Sequence, residues 1–311
     1  MPAIITHHLF GSTVHARLGD DAFPTNDELS AFLLGNQGPD PLFFSTVSRQ
    51  LITAKKLGTA MHHRCVARSM DAMREFARTL TGDARDVADA YVKGFVCHYV
   101  LDSQVHPFVY AWQDALTSAG VEGLGPDAGS FVHAQIEADI DAALLDRMLG
   151  ETIASWRVHD HILIADNDVL DTVDKLYRYA AAGVYGVVLR PGTFARATKD
   201  YRTTVALLHS PTGRVRSLFG RIERVVRPHS VVQALSHRTD VGLHSEWDND
   251  EHHAWTNPFT SEVSTASFDE LFERAQDTAL EDIALADEAA PSADICHGVN
   301  FLGEPEPEGE A

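Results

Sequence analysis

Two stretches of the chain set histidines and carboxylates one helical turn apart: His98-x-x-x-Asp102, with His106 a further turn on, and His133-x-x-x-Glu137. On an α-helix, residues three or four apart share a face with Cβ atoms about 5–6 Å apart, so both side chains of such a pair reach one metal ion. His98, Asp102 and His106 therefore project two imidazoles and a carboxylate from successive turns. Asp102 follows a largely apolar run, and a carboxylate there is costly to bury without a cation beside it. A blander reading makes His98 and Asp102 a core hydrogen-bonded pair and lets His106, just before Pro107, cap the helix end. Alone, His133 and Glu137 would be an exposed helix pair worth a few tenths of a kcal/mol. Together the two pairs supply nearly enough ligands for two metal ions.

Further candidates lie upstream. MHHRC offers His62 and His63; neighbours on a helix point about 100° apart, so only one faces a given site, and His62 is favoured. NQGPDP holds Asp40 in a turn, where composition alone reads it as an ordinary turn aspartate. THHLFG adds His7 and His8.

The elements that must position these residues read as helix after helix, without the alternation of a sheet protein. Thr25-Asn26 caps a short helix through Leu34, which Gly35 stops. Helices are predicted from Thr59 to Leu80 and from Asp83 to Ser103, the latter ended by Pro107. Gly94 in that helix admits either a metal or a close helix crossing. After the glycine-rich loop GVEGLGPDAGS, a helix from Ser130 to Leu149 carries His133 and Glu137. Weaker patterns follow at Asp168 to Ala182, Thr193 to His209, Thr212 to Arg227 and Ser267 to Ala286, the last opened by acidic residues in its first turn. The expected architecture is all-α: one multi-helix bundle over residues 1–302, although a boundary near Gly150 is conceivable, followed by a disordered acidic tail over residues 303–311.

Composition narrows the function. A chain of 311 residues, 44% hydrophobic, buries a sizeable core unaided. Its formal net charge of −20 repels polyanions, so duplex nucleic acid and anionic membranes are poor partners. Cys65, Cys97 and Cys296 form no CxxC pair, which argues against a disulfide framework or thiolate zinc cluster. No export signal or membrane span is read, so a cytoplasmic protein without stable membrane insertion is expected. The 17 histidines weigh towards metal chemistry.

Taken in order, His7 in TH, Asp40 in GPD, His62, His98-x-x-x-Asp102, His106 and His133-x-x-x-Glu137 together resemble the zinc-dependent phospholipase C family and its relatives among zinc single-strand nucleases. WDNDEHHAWTNPF, from Trp247 to Phe259, and the SFDELF after it also look like members of that family without an export signal. The resemblance covers roughly residues 1–145 and implies an all-helical metallohydrolase. By motif it assigns one zinc to Asp40, His62, His98 and Asp102, and a second to His106, His133 and Glu137. His7 would serve a third zinc, bridged by Asp102. It also implies that Asp40 acts as general base towards a phosphodiester or phospholipid, and the acidic surface favours a small or zwitterionic one over a long polyanion. Choline recognition does not carry over, because no acidic residue precedes Asp20; Phe43 and Phe44 are left as candidates to line an apolar pocket. Two other readings stand beside this one: a non-catalytic metal-holding or sensing protein on the same fold, and a manganese- or iron-dependent phosphohydrolase.

Overall fold

The computed structural model describes residues 3–45, 50–120, 124–214, 216–217, 236–238, 245 and 247–307. Among these the chain is all-α, with eleven α-helices and one antiparallel pair of two-residue strands, Trp255–Thr256 and Val263–Ser264. The helices are α1 (Ile4–Leu18), α2 (Asn26–Gly35), α3 (Leu51–His63), α4 (Val66–Arg78), α5 (Asp83–Ser118), α6 (Gly129–Leu149), α7 (Val158–His161), α8 (Asn167–Tyr185), α9 (Thr193–Leu208), α10 (Phe268–Asp287) and α11 (Ser292–Cys296). None is long and apolar enough to cross a membrane. The expected helix from Thr212 to Arg227 falls largely outside the described residues.

Helix α5 is the axis, with α1, α2, α4, α6, α8 and α10 all packed on it. Tyr91, Phe95, Val96, Val100 and Leu101 are buried along its length, so no side of its middle turns faces water. Its closest neighbour is α2, and two glycines explain why. A Cβ on Gly94 would overlap the carbonyl of Phe32, and one on Gly35 would overlap the carbonyl of Tyr91. Gly94 is thus a helix crossing, which settles the choice the sequence left open. Thr25 caps α2 by accepting from Glu28 N at 3.2 Å. Ser267 and Glu270 form a full capping box on α10.

Three sequence expectations are corrected. The helix from Thr59 to Leu80 is two helices, broken where Arg64 is extended and Cys65 adopts a left-handed φ of 56°. The last carbonyls of α3 find partners elsewhere: His62 O accepts from Phe301 N, His63 O from Asn300 Nδ2 and Arg64 O from Tyr185 Oη. With outside donors in place, continuing the helix gains little.

Pro107 does not end α5 either; it lies inside a 36-residue helix. A proline leaves the carbonyl four residues earlier without its helical donor, and Gly303 lies against both that carbonyl, Ser103 O, and the Pro107 ring. Nor are residues 303–307 a free tail. Asn300 N donates to Glu304 O at 2.9 Å and Glu306 N to Gly298 O at 2.9 Å, closing a compact turn against the body.

Two outcomes follow from this packing. Gly94→Ala drives a methyl group into a backbone carbonyl that cannot swing away, and we expect thermal unfolding to show a loss of at least ~1–3 kcal/mol. An unchanged melting temperature would contradict the close crossing.

Asp282 on α10 is buried with no hydrogen-bond partner for Oδ2, and burial, then Glu281, pushes its carboxyl up to about 7. The unfolded chain ionises this group near its ordinary value, so stability falls as pH rises from ~4 to that folded value. Asp282→Asn should flatten that slope in denaturant titrations at pH 5 and pH 8.

Candidate metal centre

Eight side chains from five elements converge beside α5. Because α5 runs unbroken past Pro107, His98, Asp102 and His106 stay on one inward face, which makes His106 a mid-helix residue and not a helix cap. Helix α6 brings His133 and Glu137, α3 brings His62 from its last turn, α1 brings His7, and Asp40 opens a 3-10 turn, Asp40–Phe44.

The glycine crossing of α2 on α5 sets the near wall. It delivers Asn36 O to within 3.1 Å of His98 Nδ1. Gly38 follows at φ 47°, where a Cβ would overlap the His98 ring. Gly11 on α1 leaves room for the Asn36 side chain in the same way. On the far wall Asp141 of α6 accepts from Thr6 N and Thr6 Oγ1, both at 2.7 Å, and from Ile5 N at 3.3 Å. That carboxylate holds the first turn of α1, and so His7, against α5.

Asp102 is the centre of the arrangement. Its Oδ1 lies 3.1 Å from His7 Nε2 and 3.7 Å from His106 Nε2, while Oδ2 lies 3.4 Å from His98 Nε2 and 4.0 Å from His62 Nε2. Asp40 Oδ1 is 3.1 Å from His62 Nε2. Glu137 Oε1 stands 3.4 Å from His106 Nε2 and 3.3 Å from His133 Nε2. Donors sharing one tetrahedral ion at ~2.0–2.1 Å bonds are themselves about 3.3 Å apart, so most of these spacings are those of ligands around common ions.

Among the described residues, three groups have ligand atoms all within 4.8 Å of one another: His7, Asp40 and His98; His62, His98 and Asp102; and His106, His133 and Glu137. The chain therefore contains buried His/Asp/Glu clusters able to hold metal.

Hydrogen bonds on the outer edges of the rings set their chemistry. His62 Nδ1 meets Gly58 O at 2.7 Å, His98 Nδ1 meets Asn36 O, His106 Nδ1 meets Phe301 O at 2.8 Å, and His133 Nδ1 meets Gln113 Oε1 at 3.2 Å. A carbonyl oxygen only accepts, so each bond requires a proton on Nδ1, and in the neutral ring it leaves Nε2 with its lone pair aimed at a carboxylate. A lone pair facing a carboxylate is repulsive unless a proton or a metal ion lies between them. His98 Nε2, Asp102 Oδ2 and Glu137 Oε2 are buried with no hydrogen-bond partner. A cavity of about 20 Å³ beside Thr6, His7, Asp102, His106 and Glu137 has room for one water-sized guest.

Without an ion, protons do this work. Burial would lower the His106 pKa, but the charges of Asp102 and Glu137 raise it to about 9. Burial outweighs Asp102 at His98 and pushes it down to about 3. At His7 burial lowers the pKa, but the charge and hydrogen bond of Asp102, together with the charge of Asp40, raise it by more. Asp102 and Glu137 are held below the ordinary carboxylate range, since the imidazoles around them overcome the effect of burial.

The structure brings His7, Asp40, His62, His98, Asp102, His106, His133 and Glu137 into this one cluster. His63 and His8 turn away from it. His63 is exposed, and His8 packs near Trp156 and His161, with burial lowering its pKa to about 4. His7 is not a separate outpost, since its Nδ1 is 3.2 Å from His98 Nδ1. Phe44 is stacked on Tyr201 with ring centres 3.7 Å apart, and Phe43 lies beside His62.

Sequence reasoning missed Asp141, although His133, Glu137 and Asp141 repeat the i, i+4, i+8 spacing of His98 to His106. It also missed Gln113, and the carbonyls of Asn36 and Phe301, for which side-chain type carries no signal. No protein-family model matches the chain, and no match was found among curated proteins or solved structures.

Metal binding should release protons in a defined direction. At pH 7 His106 is protonated and His98 is not, so an ion held by His106, His133 and Glu137 displaces about one proton. Affinity there should rise with pH until His106 has lost its proton near 9 and then level off. Calorimetric zinc titrations in buffers of differing ionisation enthalpy measure this; binding without proton release at pH 7 would contradict it. Asp102→Asn together with His133→Ala should lower the metal content of protein purified without chelator, by elemental analysis.

Proposed function

We propose that the protein is a zinc-dependent phosphodiester hydrolase of the phospholipase C type, acting on a small or zwitterionic phosphodiester or phospholipid. The observation that supports it most is the set of four imidazoles whose Nδ1 atoms face fixed oxygen acceptors while their Nε2 atoms face buried carboxylates. Neutral imidazole and carboxylate suit zinc but do not by themselves exclude manganese or iron. The order of motifs, which resembles the zinc phospholipase C family, favours zinc, with two ions and a third towards His7. A cytoplasmic setting fits three buried cysteines that form no disulfide with one another.

Zinc held by Asp40, His62, His98 and Asp102 and by His106, His133 and Glu137 would supply Lewis acidity towards phosphoryl oxygens and would lower the pKa of a water. The chain's own residues divide the remaining work. Asp40, with one carboxylate oxygen on His62, takes the proton of the attacking water on its other oxygen. Asp102 lies between the His62/His98 side and His106, with Oδ2 3.4 Å from His98 Nε2 and Oδ1 3.7 Å from His106 Nε2. His133 is the only one of the eight with appreciable exposure, its side chain 14% accessible. Substrate therefore approaches on that side, past Tyr110, whose ring centre is 4.8 Å from that of His133. The acidic surface favours a short diester over a long polyanion.

Zinc-loaded protein should hydrolyse bis-p-nitrophenyl phosphate or phosphatidylcholine, lose turnover to a chelator and regain it with added zinc. Asp40→Asn should lower kcat by about 10²–10⁴-fold. Fully metal-loaded protein that hydrolyses neither compound, with every coordination position filled by protein, would replace this reading with the metal-holding one.

A further inference from the structure

We propose that residues Gly298–Glu306 form a positioning strap that sets the tautomer of His106 and holds the rings of His62, His98 and His106 in place. Phe301 is the working residue. Its carbonyl accepts from His106 Nδ1 at 2.8 Å across 195 positions of sequence. Its N–H donates to His62 O at 3.2 Å. Its ring lies 5.0 Å from the His62 ring and 5.5 Å from that of His98, and it is backed by Phe95 and Tyr99. One buried residue thus touches the last-turn histidine of α3 and two histidines of α5.

The segment is fastened on each side of Phe301. Tyr99 Oη donates to Val299 O at 3.1 Å, and Val299 bridges Pro305. Asn300 accepts from Leu302 N at 2.9 Å and Glu304 N at 3.2 Å and donates to His63 O at 3.2 Å. Glu306 Oε1 accepts from Val66 N at 3.1 Å, at the start of α4. Gly303, at φ 73°, fits the notch that Pro107 makes in α5, where a Cβ would come within 2.5 Å of both Pro107 Cγ and Ser103 O. Proline in α5 and glycine in the strap are therefore complementary parts of one contact.

The consequence is chemical as well as structural. While Phe301 O holds the Nδ1 proton of His106, Nε2 is the only nitrogen left to face Glu137 and Asp102. With the strap displaced, the ring is free to turn and to carry its proton on either nitrogen. Outer hydrogen bonds of this kind change metal affinity about 10–100-fold when removed.

The strap's metal consequence rests on the metal reading above, but its tautomer consequence does not. The test uses the full chain with Gly303→Val, which places side-chain atoms in the Pro107 notch. Asn300→Ala, which removes the strap's side-chain fastenings, serves as a milder second variant if the first does not fold. Cobalt(II) is titrated while its visible absorption is followed, and histidine ring nitrogens are observed by long-range 15N NMR without metal at a pH well above 9, where the His106 ring is neutral and has a tautomer to report.

The expected result is an Nδ1–H tautomer at His106 in the wild type, mixed in the variants, with cobalt affinity at the His106, His133 and Glu137 group weakened about 10–100-fold at unchanged helical content. Wild-type tautomer and wild-type cobalt affinity in folded variants would overturn the proposal. A wild-type chain that binds no cobalt would sink the metal reading instead, and the ring nitrogens would still decide the strap.

Discussion

The arrangement depends on one electrostatic constraint: buried imidazole lone pairs aimed at buried carboxylates. His62, His98, His106 and His133 each give the Nδ1 edge to an oxygen acceptor and turn Nε2 towards Asp40, Asp102 or Glu137. Such a core is stable only with positive charge between the partners, as protons or as metal ions. The shifts at His106, Asp102 and Glu137 are that constraint expressed in protons. A divalent ion can meet the same need with one charge centre per group, and the clustered side chains are able to hold one.

The helical frame serves that constraint. The α2–α5 crossing at Gly35 and Gly94 lets backbone meet backbone, and the loop leaving α2 then presents Asn36 O and Asp40 to the site. Asp141 anchors α1 from α6, and the segment after α11 closes the side where Pro107 interrupts the α5 hydrogen bonds. Orientation of the ring nitrogens, more than burial, is what these contacts provide.

Much of the frame was legible because helical signals are local. The three-to-four spacing of His98, Asp102 and His106 is read directly from the chain, Thr25 caps α2 as its type suggests, and α10 starts with the acidic first turn of Asp269 and Glu270. Local signals failed where tertiary contacts compensated. Pro107 should stop a helix, yet α5 continues with Gly303 seated against the proline ring. Cys65 carries no mark of the left-handed turn that separates α3 from α4, because donors distant in sequence take the last α3 carbonyls. Helix α1 escaped notice although Ile5, Leu9, Phe10 and Val14 are buried along it, since two adjacent histidines obscure its apolar pattern. The support of His106 by Phe301 was not legible at all: a backbone carbonyl has no residue type.

The most direct measurement is diffraction from crystals grown with zinc, recorded above and below the zinc absorption edge. The account predicts anomalous peaks in two places, one among Asp40, His62, His98 and Asp102 and one among His106, His133 and Glu137, each bonded to Nε2 atoms at ~2.0–2.1 Å. Zinc-saturated crystals with no peak at either place, and direct imidazolium–carboxylate hydrogen bonds in their stead, would contradict it.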